Sequence, residues 1–316
     1  MPNFNPQKDI PDLAGKVCLV TGGNSGLGEE TIKALAQHNP GKIYLAARSR
    51  AKAEAALLRI RASSPAAESA NIAILSLDLA SLKSVAAAAE VVNREVDRLD
   101  HLQLCGGIAM IPPDTTTDGY EVHFGINYLG HALLTQLLMP KMLSTAARPN
   151  TDVRIVSMSS KGHRERYPDV GIVFDELKTD MRSTGGPALY GQAMLAKVLL
   201  ARELAKHYPQ ITSTSLHPGA VKTNVWGGDK DVNWFIYNLI IKPLVALRAL
   251  SVEEGVKTQL WCGFSKDAKN GAYYEPVGEP GMESVFGRDD ALAAKLWNWT
   301  EKELEEHGAP GWVGAA

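Results

Sequence analysis

The chain has 316 residues, and its 33 Lys and Arg against 35 Asp and Glu give a formal net charge of -2. This balance argues against a protein that binds nucleic acid through phosphate attraction, because such proteins carry a basic excess or a basic stripe. A hydrophobic fraction of 45% excludes a disordered or fibrous chain. The three cysteines, Cys18, Cys105 and Cys262, have no CxxC spacing, so we expect free thiols rather than disulfides or a zinc site.

The first residues carry prolines and charges where a signal peptide needs an apolar run, which predicts a cytoplasmic protein. The longest apolar stretch covers residues 234–250 and is interrupted by Lys242, Pro243 and Arg248. A membrane span needs about 18 or more uninterrupted apolar residues. The sequence therefore favours a soluble protein over a membrane-associated one.

Short apolar runs alternate with segments of helical spacing along most of the chain. The runs lie at 16–22, 42–48, 72–78, 102–108, 153–159 and 212–218. This alternation is typical of βαβ units, and it predicts an α/β fold with a doubly wound parallel sheet of the Rossmann kind, in one domain over residues 1–316. Residues 224–250 break the alternation with a glycine pair and aromatic side chains, and we predict that they form a lid over a hydrophobic ligand.

A glycine-rich loop follows the first predicted strand and opens a helix. There, backbone N–H groups and the helix N-terminus favour a pyrophosphate, and glycines allow the chain to approach it closely. The alternative is a plain tight turn. We predict dinucleotide binding because strand, loop, helix and next strand fall within about 30 residues; the residues concerned are Gly22, Asn24, Ser25, Gly26, Leu27 and Gly28.

The second predicted strand ends at Arg48, where a site for NAD offers a carboxylate to the ribose hydroxyls. A carboxylate would repel the 2′-phosphate of NADP, whereas Arg48, helped by Arg50 or Lys52, attracts it. The sequence therefore favours NADP as the cofactor. The alternative is that these charges form the solvated face of the next helix.

The loop pattern TGxxxGxG resembles the glycine motif of the short-chain dehydrogenase/reductase family. Similar stretches continue over about residues 15–290: NYLGH at 127–131, SMSS at 157–160, YGQ at 190–192 and LHPG at 216–219. These motifs resemble those of the retinol-dehydrogenase-like and WW-domain-oxidoreductase-like branch of that family. The resemblance implies a Rossmann fold, a dimer or tetramer, and hydride transfer between NADP(H) and a carbonyl or alcohol carbon.

The resemblance also implies roles for individual residues. Asn127, Ser160 and Tyr190 match the catalytic positions: Tyr190 is the acid or base, Ser160 binds the substrate oxygen, and Asn127 holds a water that links a lysine to solvent. The positions that would contact the cofactor, besides the glycine loop, Arg48 and Tyr190 itself, are Asp78, Leu79, Gly106, Val221 and Thr223.

The chain departs from the family pattern four residues after Tyr190, where Met194 stands in place of lysine. A thioether carries no charge, so the pKa of Tyr190 stays high and ordinary reduction should be slow. Lys197 lies about 20° from the direction of Tyr190 on a helix, and its side chain leans back toward the N-terminus. We predict that Lys197 replaces the missing cation. The alternative is an exposed or ion-paired helix lysine.

A second departure follows the fourth strand, where Leu104, Cys105, Gly106 and Gly107 stand in place of the family's Asn-Asn-Ala-Gly. We expect Cys105 to be a buried thiol rather than a nucleophile, because no paired histidine is evident. The histidines show no ligand spacing, so no metal site is predicted.

Three functions remain open at this stage. The first is an NADP(H)-dependent oxidoreductase acting on a small, largely apolar carbonyl or alcohol metabolite, in specialised metabolism. The second is a non-redox isomerase, dehydratase or cyclase on the same scaffold, in which Tyr190 and Ser160 donate hydrogen bonds. The third is a catalytically inactive binding protein.

Overall fold

The computed structural model describes residues 4–221 and 249–314, in which strands and helices alternate as the sequence predicts. The strands are β1 (Val17–Thr21), β2 (Lys42–Ala47), β3 (Ile72–Ser76), β4 (His101–Leu104), β5 (Arg154–Met158), β6 (Thr212–Leu216), β7 (Tyr273–Glu275) and β8 (Glu279–Pro280). The helices are α1 (Pro6–Asp9), α2 (Gly26–Ala36), α3 (Arg50–Arg61), α4 (Pro65–Ser69), α5 (Leu82–Glu95), α6 (Val122–Phe124), α7 (Gly130–Ala146), α8 (Gly162–Glu165), α9 (Gly186–His207), α10 (Val252–Phe264) and α11 (Asp290–Glu306).

The strands form one eight-stranded sheet in the order β3-β2-β1-β4-β5-β6-β7-β8. Strands β1 to β7 are parallel, and only β8 runs antiparallel to its neighbour. The doubly wound α/β fold and the six predicted strands are therefore confirmed. Strands β7 and β8 were not predicted, because three and two residues are too few to show a periodicity. The strand order reverses between β1 and β4, where folds of this kind bind their ligands.

The two faces of the sheet bury separate apolar clusters. Leu19 of β1 belongs to the cluster under α5, α7, α9 and α11, whereas its neighbours Cys18 and Val20 belong to the cluster under α2, α3 and α10. Alternation of side chains across a strand produces this division. Because helices cover both faces, the central strands are apolar on both sides, which is the pattern read from the sequence.

Further sequence predictions concern the cysteines, membrane spans and the lid. All three cysteines are free, with Cys18 and Cys262 buried, which confirms the prediction of unpaired thiols. Within the described ranges, no helix combines the length and apolar character needed to cross a membrane. Thr223 and most of the predicted lid, residues 224–248, lie outside the described residues. At its edges, Val221 forms an isolated parallel bridge with Leu250.

Helix α9 packs against α8 at a glycine, and this contact supports a stability prediction. A Cβ on Gly191 would overlap the carbonyl oxygen of Arg166, whereas a Cβ on Gly186, at the start of the same helix, would have its nearest neighbour at 3.7 Å. Overlap with backbone forces the two segments apart. We expect Gly191→Ala to lower the free energy of unfolding by about 3 kcal/mol, measured by urea denaturation.

Gly186→Ala is the matched control for this prediction. It should leave the free energy of unfolding unchanged or raise it by up to about 1 kcal/mol, because alanine has the higher helix propensity. Equal effects of the two substitutions would contradict the packing of α8 against Gly191.

Candidate active site

The glycine loop between β1 and α2 is built from close backbone contacts. A Cβ on Gly28 would collide with the carbonyl oxygen of Gly22, and a Cβ on Gly22 would lie 2.8 Å from the Cα of Gly106. Gly22 and Gly26 also have positive φ angles of 66° and 53°. Helix α2 begins at Gly26 after Ser25, so its free N–H groups face the loop. The shape and amides fit a dinucleotide pyrophosphate.

An ion pair that the sequence analysis missed supports this loop from outside. The guanidinium of Arg59 on α3 donates to both carboxylate oxygens of Glu29, at 2.9 and 2.6 Å, and to the carbonyl oxygen of Asn24 at 3.4 Å. Glu29 lies in the first turn of α2, beside the anion site. The arginine offsets that negative charge and fixes the loop carbonyl. Arg59 follows Glu29 by 30 residues, so no local spacing indicates the pair.

The end of β2 presents Arg48 to solvent. Arg48 is exposed, and in the described part of the chain it has neither a hydrogen bond nor an ion pair. By contrast, the Nε atom of Arg50 is 2.9 Å from Glu54 Oε1, on the surface of α3. Lys52 is also exposed on α3. Of the basic residues predicted here, Arg48 therefore has a guanidinium free to bind a phosphate, and Arg50 belongs to a solvated helix face.

The loop after β3 lies against the same edge of the sheet. Asp78 Oδ1 accepts a hydrogen bond from the Ala80 amide at 3.1 Å, which forms a turn. This turn brings Leu79 between two glycines, since Cβ atoms on Gly106 and Gly130 would lie 2.9 Å from Leu79 Cδ1 and 2.6 Å from Leu79 O. The structure thus places Leu79, the neighbour of Asp78, beside Gly106, another residue predicted to contact the cofactor.

Ser160 and Tyr190 come together next to this edge. Ser160 follows β5 and Tyr190 lies in the first turns of α9. A Cβ on Gly162 would lie 3.2 Å from Tyr190 Cδ1 and 3.7 Å from Ser160 Oγ, so the two side chains are neighbours. Burial raises the pKa of Tyr190, and the neighbouring Ser160 hydroxyl opposes that rise. The ring lies close to Gly162, where a Cβ would be 3.1 Å from Tyr190 Cε1. The pair can bind a substrate oxygen, and the phenol can supply a proton to it.

Asn127 uses its side chain to hold the loop after β4. Asn127 Oδ1 accepts from the Ile108 amide at 2.8 Å, and Nδ2 donates to the Ile108 carbonyl at 2.9 Å. The residue lies in a π-helical turn, Gly125–Leu129, between α6 and α7. Gly107 is needed beside it, because a Cβ there would be 2.6 Å from Asn127 Oδ1. The side-chain amide is thus bonded to the backbone of Ile108, and the main-chain carbonyl oxygen lies 2.9 Å from His131 Nδ1.

Lys197 is buried, and its amine points to the end of β4. Nζ donates to the Leu104 carbonyl oxygen at 3.1 Å and lies 3.4 Å from His131 Nδ1. Within the described residues, no hydrogen bond joins Lys197 to Tyr190. Lys197 is fully buried and has no ion pair in the part of the chain that the structure describes, so the alternative of an exposed or ion-paired lysine is wrong. The contacts also run to β4 and α7 rather than to the tyrosine.

Met194 lies in the apolar cluster on the α9 side of the sheet. Its carbonyl oxygen accepts from the Ser159 hydroxyl at 2.8 Å, which ties α9 to the end of β5. The position that would hold the family's lysine thus contributes packing and a main-chain acceptor, but no charge.

His131 and Thr21 continue the contacts of Lys197, and sequence reasoning gave them no role. His131 Nε2 is 2.9 Å from Thr21 Oγ1, which also accepts from the Gly106 amide at 2.9 Å. Both side chains are fully buried. Burial and the neighbouring Lys197 hold the pKa of His131 well below its usual value, so the imidazole is neutral. The motif NYLGH contains His131, but only the fold shows what it faces.

Cys105 is a neutral thiol beside this group. Its Sγ accepts from Gln259 Nε2 at 2.7 Å, and burial raises its pKa to about 12. A thiolate is the nucleophilic form of cysteine, so Cys105 is not an activated nucleophile. In the parts of the chain that the structure covers, no cluster of His, Cys, Asp and Glu side chains could bind a metal ion.

The loop after β6 closes the edge of the sheet. The His217 amide donates to the Tyr274 carbonyl of β7 at 2.9 Å. Val221 is buried, and Gly255 of α10 allows it a close approach, since a Cβ there would overlap Val221 Cγ2. Val221 therefore packs against α10, and its contact with a cofactor stays a prediction. Thr223, two residues later, lies outside the described range.

Comparison with known proteins agrees with this arrangement. Residues 16–172 match the family described as short chain dehydrogenase. The chain is 35% identical over 304 residues to a short-chain dehydrogenase/reductase of Armillaria gallica, covering 95% of this chain and 93% of that protein. It is 33% identical over 292 residues to mouse retinol dehydrogenase 11, covering 90% and 85%.

Solved structures share the fold. A structure of an uncharacterised protein from Mycobacterium paratuberculosis is 26% identical and has a TM-score of 0.70, with 95% of this chain and 97% of that chain covered. The NADPH-bound carbonyl reductase from chicken fatty liver is 23% identical with a TM-score of 0.60, covering 85% and 98%. With relatives above 30% identity over nearly the whole length, the chain belongs to the short-chain dehydrogenase/reductase family and is an oxidoreductase of that family.

Proposed function

We propose that the chain reduces the carbonyl group of a small, largely apolar metabolite with NADPH, in specialised metabolism. The observation that carries this proposal is that Ser160 and Tyr190 lie side by side at Gly162, at the same sheet edge as the glycine loop. Asn127 supports the pair indirectly by fixing the loop after β4. NADPH, when bound, supplies the hydride.

The protonated form of Tyr190 is the form that carbonyl reduction needs. Burial raises the pKa of Tyr190, so the phenol keeps its proton at neutral pH and acts as an acid. An acid beside a carbonyl oxygen favours reduction, because the oxygen gains a proton as the carbon gains a hydride. Ser160 donates to the same oxygen and holds it toward Tyr190.

The first test removes the two hydroxyl groups. We expect Tyr190→Phe to lower kcat for carbonyl reduction by at least about 100-fold, because the positioned acid is lost. Ser160→Ala should lower it by about 10- to 100-fold, since one donor to the substrate oxygen is lost. The measurement is NADPH consumption with a panel of apolar aldehydes and ketones.

Ser159→Ala is the matched control, because the Ser159 hydroxyl bonds the Met194 carbonyl and lies outside the pair. Ser160→Ala and Ser159→Ala should bind NADPH with the affinity of the unmodified chain, and Tyr190→Phe should still bind it, because the glycine loop is unchanged. Full activity in Tyr190→Phe would rule out this mechanism.

The preference for NADPH over NADH rests on Arg48. Its guanidinium is exposed and unengaged at the end of β2 within the described residues, where the adenosine ribose of a dinucleotide lies in this fold. We expect Arg48→Ala to weaken NADPH binding by about 10- to 100-fold, because a charge-assisted hydrogen bond to phosphate contributes about 1.5–3 kcal/mol. Binding of NADH should change less than about twofold.

Titration of nicotinamide fluorescence measures both dissociation constants. Lys52→Ala is the control for loss of one exposed positive charge nearby. If Arg48→Ala weakened both nucleotides equally, the assignment of Arg48 to the 2′-phosphate would be wrong.

A further prediction concerns position 194, where methionine stands in place of the family's lysine. Positions 190 and 194 are neighbours on one face of α9, so Met194→Lys places an ammonium beside Tyr190. A nearby cation lowers the pKa of a phenol, and each unit increases the phenolate fraction about tenfold. We expect oxidation of an alcohol substrate with NADP at pH 8 to rise by about tenfold or more.

Met194→Leu conserves the volume and is the control, with no gain expected. Thermal unfolding of both variants checks that the buried substitution is tolerated. A folded Met194→Lys protein with unchanged oxidation would show that the protonation of Tyr190 does not limit the reaction.

A non-redox isomerase, dehydratase or cyclase remains the second candidate. It is favoured by the contacts of Lys197, whose amine is hydrogen-bonded at β4 and leaves Ser160 and Tyr190 as a neutral donor pair. Such a pair can orient a reactive intermediate and stabilise a developing oxyanion. Turnover by protein stripped of nucleotide supports this candidate over reduction. Turnover of any kind excludes an inactive binding protein.

A further inference from the structure

Lys197 is a cationic side chain held in the interior without a counter-charge. It is fully buried, and its amine donates to the Leu104 carbonyl. Across residues 4–221 and 249–314, no carboxylate lies within ion-pair distance of it. An ammonium has three donors, and a buried charge without a partner costs several kcal/mol. The interior thus favours the neutral amine, and burial lowers the pKa of Lys197 to about 7.

His131 gives this amine no acceptor. Its Nδ1 lies 2.9 Å from the Asn127 carbonyl oxygen, which only accepts, so Nδ1 carries the proton. Nε2 then accepts from the Thr21 hydroxyl, and Thr21 Oγ1 accepts from the Gly106 amide. With this assignment, His131, Thr21 and the Gly106 amide each have a hydrogen-bond partner, whereas the Lys197 ammonium lacks partners for all of its donors. The 3.4 Å contact between Lys197 Nζ and His131 Nδ1 is therefore not a hydrogen bond to the ammonium.

The other groups that face the amine are also uncharged at neutral pH. Cys105, after β4, is a thiol whose pKa burial raises to about 12, and it accepts from Gln259 of α10. Thr21 on β1 and His131 on α7 are neutral. Protein groups in the described ranges therefore supply no anion here. The glycine loop, which is built for an anion, adjoins this series of hydrogen bonds. Gly22 of the loop packs against Gly106, whose amide donates to Thr21.

We propose that Lys197 takes up a proton when a dinucleotide binds, so that cofactor binding and protonation of this buried amine are linked. The proton comes from solvent, Nζ changes from –NH2 to –NH3+, and no bond to carbon or sulfur changes. The negative charge of the bound nucleotide stabilises the ammonium, and the reciprocal of that coupling is tighter nucleotide binding at lower pH. The inference rests on the proposed function in that the chain must bind NADPH.

The test is isothermal titration calorimetry of the full chain with NADPH at pH 7.5, in buffers that differ in ionisation enthalpy. The dependence of the observed heat on buffer gives the number of protons taken up. With a free pKa of about 7 and a bound pKa at least two units higher, we expect uptake of about 0.7 proton per chain. The nucleotide's own 2′-phosphate titrates near pH 6 and contributes little at this pH.

Lys197→Met should lose this uptake, whereas Lys206→Met, which removes an exposed lysine from the same helix, should retain it. Absence of uptake in the unmodified chain, or equal uptake in Lys197→Met, would overturn the inference. Absence of any binding heat would instead contradict NADPH binding and so the proposed function.

A second measurement covers the case in which Lys197→Met does not fold. Lysines labelled with 13C at Cε report their own titration by NMR, and a buried lysine with a pKa near 7 is separated from exposed lysines near 10.4. Saturating NADPH should move that titration above pH 9. A titration that NADPH leaves in place would also overturn the inference.

Discussion

The site depends on the pairing of β1 with β4, and a hydrogen bond from the Gly106 amide to the Thr21 hydroxyl extends this pairing beyond the strand ends. Thr21 ends β1 and Gly106 follows β4, and the strand order of the sheet reverses between these strands. The glycine loop lies so close to the end of β4 that a Cβ on Gly22 would be 2.8 Å from the Gly106 Cα, and a Cβ on Gly106 would be 3.3 Å from the Gly22 amide nitrogen. The nucleotide cradle is therefore a property of two strands held together, and not of the glycine loop alone.

The site has two groups of polar side chains that differ in how they respond to charge. On the β5 and α9 side, Tyr190 and Ser160 form a neutral pair in which burial keeps the phenol protonated. On the β1 and β4 side, Lys197 and His131 lie beneath the loop, and their contacts run to Leu104 and Thr21. The lysine is thus placed to respond to charge on a bound nucleotide more directly than to the ionisation of the tyrosine.

The sequence predicted the fold and part of the site because those features are local. Alternating apolar runs predict the strands, and the spacing of Gly22, Gly26 and Gly28 predicts the loop. The contacts of Lys197 could not be predicted, because its partners His131 and Leu104 lie 66 and 93 residues away across the core. Helical geometry placed Lys197 on the face of Tyr190, but the additional axial rise of about 4.5 Å takes its amine to β4 instead.

Lys197 connects the two departures from the family pattern, because it follows Met194 on α9 and donates to Leu104. Met194 leaves α9 without a charged group near Tyr190, and Lys197 adds an ionisable amine about one turn later, at the carbonyl of Leu104. Cys105, which follows β4, remains a neutral thiol and therefore does not neutralise the lysine. An anionic residue at 105 would pair with Lys197 permanently and fix its charge. Because the thiol stays protonated, the charge on Lys197 remains free to depend on what binds above Gly106.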